Sequence, residues 1–301
     1  MQDPWTIYWQ SGCLDSCVAT QSSQDAVAIE AFWQGLATQL ESGSRILDLA
    51  TGNGTVPAAL LRVDNTLRVT GVDKAKIEPL RFLSERGELA SADFHGNVDV
   101  CSLPFDDAEF DAVTSQFGIE YASLPKAVPE AVRVVRRGGK LQLLMHHADS
   151  EVVKPARAKR REMGSLLAEG GVLQKLKAYV AGQLTEDELE SSGQAHFASG
   201  GRSSQITGQI FEGVYRIISS VNSGDIRAAR ELCDVMLLRL SADRDRLGQL
   251  EDAALSQSQM DSLVSLLETA GIRTVTARAL CANEGAGDEF IIGWQYRGEK
   301  D

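Results

Sequence analysis

Cysteine, basic charge and long apolar runs are all in short supply in this chain, and each shortage excludes something. Five cysteines at irregular positions in 301 residues cannot build a disulfide framework. The thiols are therefore expected to be reduced, in a cytosol. No apolar run approaches the roughly 18 residues that a membrane-spanning helix needs. Residues 1–13 hold Asp3 and no lysine or arginine, so they do not read as a secretory signal, and a cytoplasmic location is expected. Basic residues number 30 against 42 acidic ones, a net charge of -12, which disfavours a nucleic-acid partner. What remains is ordinary globular material. Hydrophobic residues are 43% and charged residues 24%, enough apolar mass for one large domain, or one domain with an inserted subdomain.

The charge is uneven. Residues 151–252 hold 14 basic and 15 acidic side chains, while the rest of the chain holds 16 and 27. Lys154, Arg157, Lys159, Arg160 and Arg161 form a short basic run, read as a solvated helix face.

Apolar spacing predicts a helix over 24–40, then a buried strand over 45–50 entering a glycine turn. A helix starts near Ala58, a second strand covers 67–73, and a second helix covers 77–86. Further strands are expected over 110–115 and 139–145, with a helix over 125–136 stopped by Gly138 and Gly139. Strands alternating with helices imply a parallel sheet covered on both faces. Residues 151–256 show helical spacing only, interrupted by glycine- and serine-rich breaks at 191–204 and 219–224. A helix over 257–270 and a hairpin over 273–282 and 289–296 then complete the sheet. The expected organisation is an N-terminal helical segment (1–43), an α/β domain (44–150 with 257–301), and a helical insertion (151–256) acting as a lid, a homodimer interface, or both.

Ligands of open parallel sheets bind beyond the carboxyl ends of the strands. The first strand ends in residues 46–54 (ILDLATGNG), where Gly52 and Gly54 let backbone approach a ligand. Asp73 ends the second strand and is placed to accept hydrogen bonds from ribose hydroxyls. A glycine turn alone fits many phosphate-binding folds. Asp48, just before the turn, discriminates. It would repel a pyrophosphate, which argues against NAD. It suits a ligand carrying a sulfonium and an ammonium, which argues for S-adenosylmethionine.

Five segments in order then resemble the class I S-adenosylmethionine-dependent methyltransferases, across roughly residues 25–147 and 257–298. They are 46–54 (ILDLATGNG), 71–73 (GVD), 99–105 (DVCSLPF), 110–118 (FDAVTSQFG) and 132–141 (VRVVRRGGKL). Segment 103–118 is most similar to ubiquinone/menaquinone-type enzymes, which lack an insertion of this size. Their substrate is not carried over. Ala50 stands where many members have a first glycine. The resemblance implies a doubly wound, mostly parallel seven-stranded Rossmann-like sheet with a helical insertion. It also implies S-adenosylmethionine held by Asp48, Ala50, Thr51, Gly52, Gly54, Asp73, Lys74, Asp99, Val100, Gln116 and Phe117, with Asp99 at the adenine amino group. No metal is expected.

Substrate chemistry is expected at the carboxyl ends of the fourth and fifth strands. His146 and His147 follow the fifth strand, and neighbours on a strand point to opposite sides, so one of them is expected to face the cleft. Glu120 and Tyr121 are candidates for substrate contact. These assign catalysis to His146, His147 and Glu120. The aromatic segment 5–9 (WTIYW) either folds over the cofactor mouth or packs as a staple. Cys13, Cys17 and Cys101 are read as buried small hydrophobes rather than as a thiol site. The leading reading is methyl transfer to a small-molecule acceptor (on O, N or C) under a helical lid. The alternatives are a non-catalytic S-adenosylmethionine-binding scaffold and a protein or RNA methyltransferase. The absence of an Asn/Asp-Pro-Pro-Tyr motif after the fourth strand disfavours base or glutamine N-methylation.

Overall fold

The computed structural model describes residues 3–14, 23–83, 87–198, 205–284 and 288–301. The chain divides into two units, Met1–Lys154 with Gln249–Asp301, and Pro155–Gly248. The second unit lies within the span 151–256 and is shorter than it at both ends.

In the first unit α1 (Pro4–Trp9) and α2 (Ser23–Ala37) precede β1 (Arg45–Leu49), α3 (Thr55–Val63), β2 (Arg68–Val72), α4 (Pro79–Phe82) and β3 (Asp93–His95). Then come β4 (Phe110–Gln116), α5 (Leu124–Val134) and β5 (Val135–Met145). The seven strands form one sheet in the order β3-β2-β1-β4-β5-β7-β6. The first five neighbours pair in parallel, and β7 runs antiparallel to both β5 and β6. This is the doubly wound, mostly parallel sheet expected. The order reverses between β1 and β4, so the connections diverge there and open a crevice at the strands' carboxyl ends. Ile46, Leu47 and Leu49 of β1 and Ala112 and Val113 of β4 are fully buried, as central parallel strands covered on both faces require.

Sequence spacing misplaced several boundaries. Of the helix expected over 77–86 only Pro79–Phe82 is helical; Leu83 is extended, and 84–86 lie outside the described residues. The three-residue strand β3 is too short to show a period. The glycines at 138 and 139 do not stop α5. That helix ends at Val134, because Val135 is already extended. Its last carbonyls are met instead by Lys300, whose Nζ donates to the Val132 and Val135 oxygens at 2.7 Å each. Gly138, at φ +69, lies in the irregular start of β5, where the register against β4 shifts.

The second unit is helical in all its described elements. α6 (Val153–Leu166), α7 (Val172–Val180), α8 (Glu186–Ala198), α9 (Gln205–Asn222) and α10 (Ile226–Ala253) make it up, with both ends of the unit falling inside helices. Leu166, Leu173, Leu176, Leu189, Ile217 and Ala229 are buried in it. Tyr215 is exposed. The breaks expected at 191–204 and 219–224 are largely helical, and 199–204 lie outside the described residues.

Returning to the first unit, α11 (Gln257–Thr269) opens with a capping box between Ser256 and Gln259. β6 (Ile272–Glu284) and β7 (Asp288–Lys300) close the sheet. β7 crosses β5 so closely at Gly293 that a Cβ there would lie 2.5 Å from the Met145 carbonyl oxygen and 3.0 Å from the Phe117 ring. Both the clashing oxygen and the strand are fixed by the ladder. Gly293→Ala is therefore expected to destabilise the fold by about 2 kcal/mol or more, measured as a lowered urea midpoint at unchanged m-value.

Candidate functional site

The carboxyl ends of β1, β2 and β4 surround a cavity of about 680 Å³, within the size range of small-ligand sites. Of the residues expected to hold a cofactor, Asp48, Ala50, Thr51, Asp73, Lys74, Asp99, Val100, Gln116 and Phe117 line it. Gly52 and Gly54 do not; they shape the turn behind the wall. Gly54 begins α3 at φ +94, and a Cβ on Gly52 would run into the Trp9 ring. Two lining residues without that freedom, Ala50 and Phe117, also take positive φ, at 53° and 50°. Among the described residues, two of the four non-glycine positive-φ positions thus stand at the ends of β1 and β4, on the cavity wall.

Four carboxylates line the cavity; Asp3 caps α1, and the other three are in different states. Asp48 is 1% exposed, and its Oδ1 accepts a hydrogen bond from Thr114 Oγ1 at 2.8 Å. Burial pushes its pKa up to about 7, with the charge of Asp73 adding a smaller push. Asp73 accepts the Gly52 N–H at 2.9 Å and the Ala75 N–H at 2.8 Å, and burial still raises it to about 6. Asp99 is half-exposed. The Cys101 N–H donates to it at 2.9 Å and Lys74 pairs with it at 3.2 Å, which holds its carboxyl below the usual range.

The remaining walls are aromatic. Asp3 caps α1 by accepting the Thr6 N–H at 2.8 Å, and Pro4 follows at the first helical position. The helix presents Trp5 and Trp9 to the cavity, 6.0 Å apart and stacked. Trp5 also meets Tyr121 edge-on at 5.3 Å, and its Nε1 donates to Gln249 at 2.8 Å. Asp3, Val56, Ala75, Cys101, Gly118, Ser123, Lys126 and Gln249 also line the cavity and were not foreseen as binding residues. Of these, only the Asp3-Pro4 helix start ahead of an aromatic cluster left a readable signal. Cys101 is half-buried on this wall and Cys13 is exposed, so neither is a packed core thiol; Cys17 lies outside the described residues.

His146 and His147 point to opposite sides of β5's end, and neither lines the cavity. His146 is fully buried one layer behind it. Its ring Nδ1 lies 2.7 Å from Glu120 Oε1, which also accepts the His146 backbone N–H at 2.9 Å. A carboxylate there holds a proton on Nδ1 and fixes the ring's orientation. The ring rests against Phe117 at 4.5 Å and Tyr121 at 5.7 Å, both of them cavity walls. His147 stacks on Trp294 at 4.3 Å and its Nδ1 accepts the Asp149 N–H, while burial lowers its pKa. Among the described residues no three His, Cys, Asp or Glu side chains are grouped to hold a metal.

A family model described as a methyltransferase domain matches residues 47–143. The strand order and that match agree: residues 47–143, which run from β1 into β5, match a methyltransferase domain. Among similar proteins, a 2-phytyl-1,4-naphthoquinone methyltransferase of Nostoc punctiforme is 33% identical over 125 residues, 39% of this chain and 54% of that protein. A demethylmenaquinone methyltransferase of Thermotoga maritima is 36% identical over 104 residues, 33% of this chain and 42% of that protein. The chain thus spans about half the length of the curated relatives it matches. A solved 1,6-didemethyltoxoflavin-N1-methyltransferase of Burkholderia thailandensis aligns over 94% of this chain and 80% of its own, at 14% identity and TM-score 0.45.

The donor set fits the cofactor. Asp48 and Asp73, both raised by burial, call for a cation and for hydroxyl donors, and the cavity is walled by apolar and aromatic groups beyond them. The raised values carry a stability consequence. A carboxyl whose folded pKa exceeds its unfolded value near 3.8 stabilises the fold below that value, and the contribution is lost as pH rises through the folded value, about 7 for Asp48. Ligand-free protein should therefore lose stability between about pH 4 and 7 through this group. Asp48→Asn, which keeps an acceptor for Thr114, should be more stable than the parent at pH 8 by roughly 2 kcal/mol and equal to it near pH 4. Urea unfolding at both pH values checks this; parallel pH profiles would refute it.

Proposed function

We propose that the protein transfers a methyl group from S-adenosylmethionine to a small, flat, largely apolar acceptor. The single observation that carries the reading is the pair of buried carboxylates, Asp48 and Asp73, raised in pKa and lining one cavity at the switch point of the sheet. The bound cofactor supplies a methyl group on a sulfonium. Asp48 offsets the positive charge of that end of the ligand, Asp73 accepts ribose hydroxyls beside the two N–H groups it already holds, and Asp99 faces the adenine. Displacement at the methyl carbon is in line, so the protein's main contribution is to hold two partners at reacting distance and keep water out.

The aromatic faces of Trp5, Trp9, Phe117 and Tyr121 support an acceptor with a planar ring, for which stacking supplies orientation without charge. The matched relatives, named for naphthoquinone and menaquinone methylation, are consistent with such a ring. Glu120 and His146 serve this reaction as positioning residues. They back Phe117 and Tyr121 from behind.

Calorimetry with S-adenosylmethionine and S-adenosylhomocysteine tests the cofactor assignment. Asp48→Ala and Asp73→Ala should each weaken binding of the sulfonium form by at least tenfold. Because a cation binds the ionised form of Asp48, affinity should rise with pH between about 6 and 7, with protons released on binding. Folded variants with parent affinity would sink the assignment. Turnover with a panel of naphthoquinols tests the acceptor class. There His146→Gln should lower kcat at unchanged cofactor affinity, and equal turnover of charged aliphatic acceptors would overturn the planar-ring reading.

A further inference from the structure

Gln116, the last residue of β4, lines the cavity, and its side-chain oxygen accepts a hydrogen bond from Trp33 Nε1 at 2.6 Å. An indole N–H can only donate, and an amide nitrogen cannot accept. Trp33 therefore decides which end of the amide is bound: Oε1 is held toward α2, and Nε2 is the end left over on a residue that lines the cavity. Among the described residues Nε2 has no hydrogen-bond partner.

The indole is itself immovable. Trp33 is fully buried and meets the Phe32 ring edge-on at 4.8 Å. The same turn of α2 is tied to the sheet by Gln142 Nε2 of β5, which donates to the Phe32 carbonyl at 2.7 Å, and by the Arg297 guanidinium over the Phe32 ring at 4.9 Å. Sheet and helix thus hold the indole, and the indole holds the amide.

We propose that Trp33 is a positioning residue whose hydrogen bond aims the two N–H groups of Gln116 at the carboxylate of the cofactor's amino-acid end. The inference rests on the S-adenosylmethionine reading and deepens it. The amino-acid end of that ligand is a zwitterion, so it needs an acceptor for its ammonium and a donor for its carboxylate. Asp48 is the acceptor available. A lysine or arginine as the donor, in the same desolvated cavity, would pair with Asp48, pull its pKa down and repel the sulfonium. A neutral amide donates without that charge, but a free amide can flip and present its oxygen, which repels a carboxylate. The Trp33 bond removes the flip.

The test compares two nucleosides by calorimetry. S-adenosylhomocysteine carries the amino-acid end, and 5′-methylthioadenosine lacks it. Trp33→Phe keeps a buried aromatic ring and deletes the N–H, while Gln116→Leu deletes the amide and leaves Trp33 in place. Each should weaken S-adenosylhomocysteine about five- to tenfold and leave 5′-methylthioadenosine unchanged. The double variant should lose no more than Gln116→Leu alone, because the two residues act through one bond. Unchanged S-adenosylhomocysteine affinity in Gln116→Leu, or an equal loss for both nucleosides in both single variants, would overturn the proposal while leaving the cofactor assignment standing. Failure of the parent protein to bind either nucleoside would instead bring down the cofactor reading and this inference with it.

Discussion

Asp48 places a carboxylate inside a parallel sheet with one hydroxyl to satisfy it and, among the described residues, no ion pair. Desolvating such a group is costly, and the resulting pKa near 7 is the measure of that cost. The rest of the site follows from this constraint. The neighbouring acid Asp73 is also raised, so two groups in one cavity are poised between neutral and charged forms near physiological pH. The cost is recovered when a positive charge enters. The proposed sulfonium ligand supplies such a charge.

The other walls avoid disturbing that balance. Trp5, Trp9, Phe117 and Tyr121 contribute π faces and area, and Gln116 is a neutral amide whose oxygen accepts from the Trp33 indole. Two lysines also line the cavity, Lys74, which pairs with half-exposed Asp99, and Lys126. Strain at Ala50 and Phe117 brings the ends of β1 and β4 into the close approach that lets Gly118 pack on Ala50.

The central fold was legible because fully apolar β1 and the helical periods around it obey simple rules, and because Asp48, Asp73 and Asp99 fall at strand ends. What was not legible came from pairings distant in sequence. Nothing near Val134 announces that Lys300 will meet the last carbonyls of α5, so the nearby glycines drew the boundary instead. β3 has three residues and no period to read. The cavity wall formed by Trp5 and Gln249 joins positions 244 apart. His146 looked like a cleft residue from its place after β5, but two aromatic rings separate it from the cavity, a layering no local pattern encodes.

The pairing of β5 with β7 also bears on how the chain is made. Met145 pairs with Trp294, and the whole helical unit is synthesised between them. At typical translation rates roughly 150 residues take about 10 to 30 s to emerge, and throughout that time β5 is an edge strand with an unmatched row of backbone donors and acceptors. The helical unit, rich in local contacts, has time to fold first, whereas the sheet waits for its last hairpin. A nascent chain stalled inside the insertion would expose that edge to pairing with other chains.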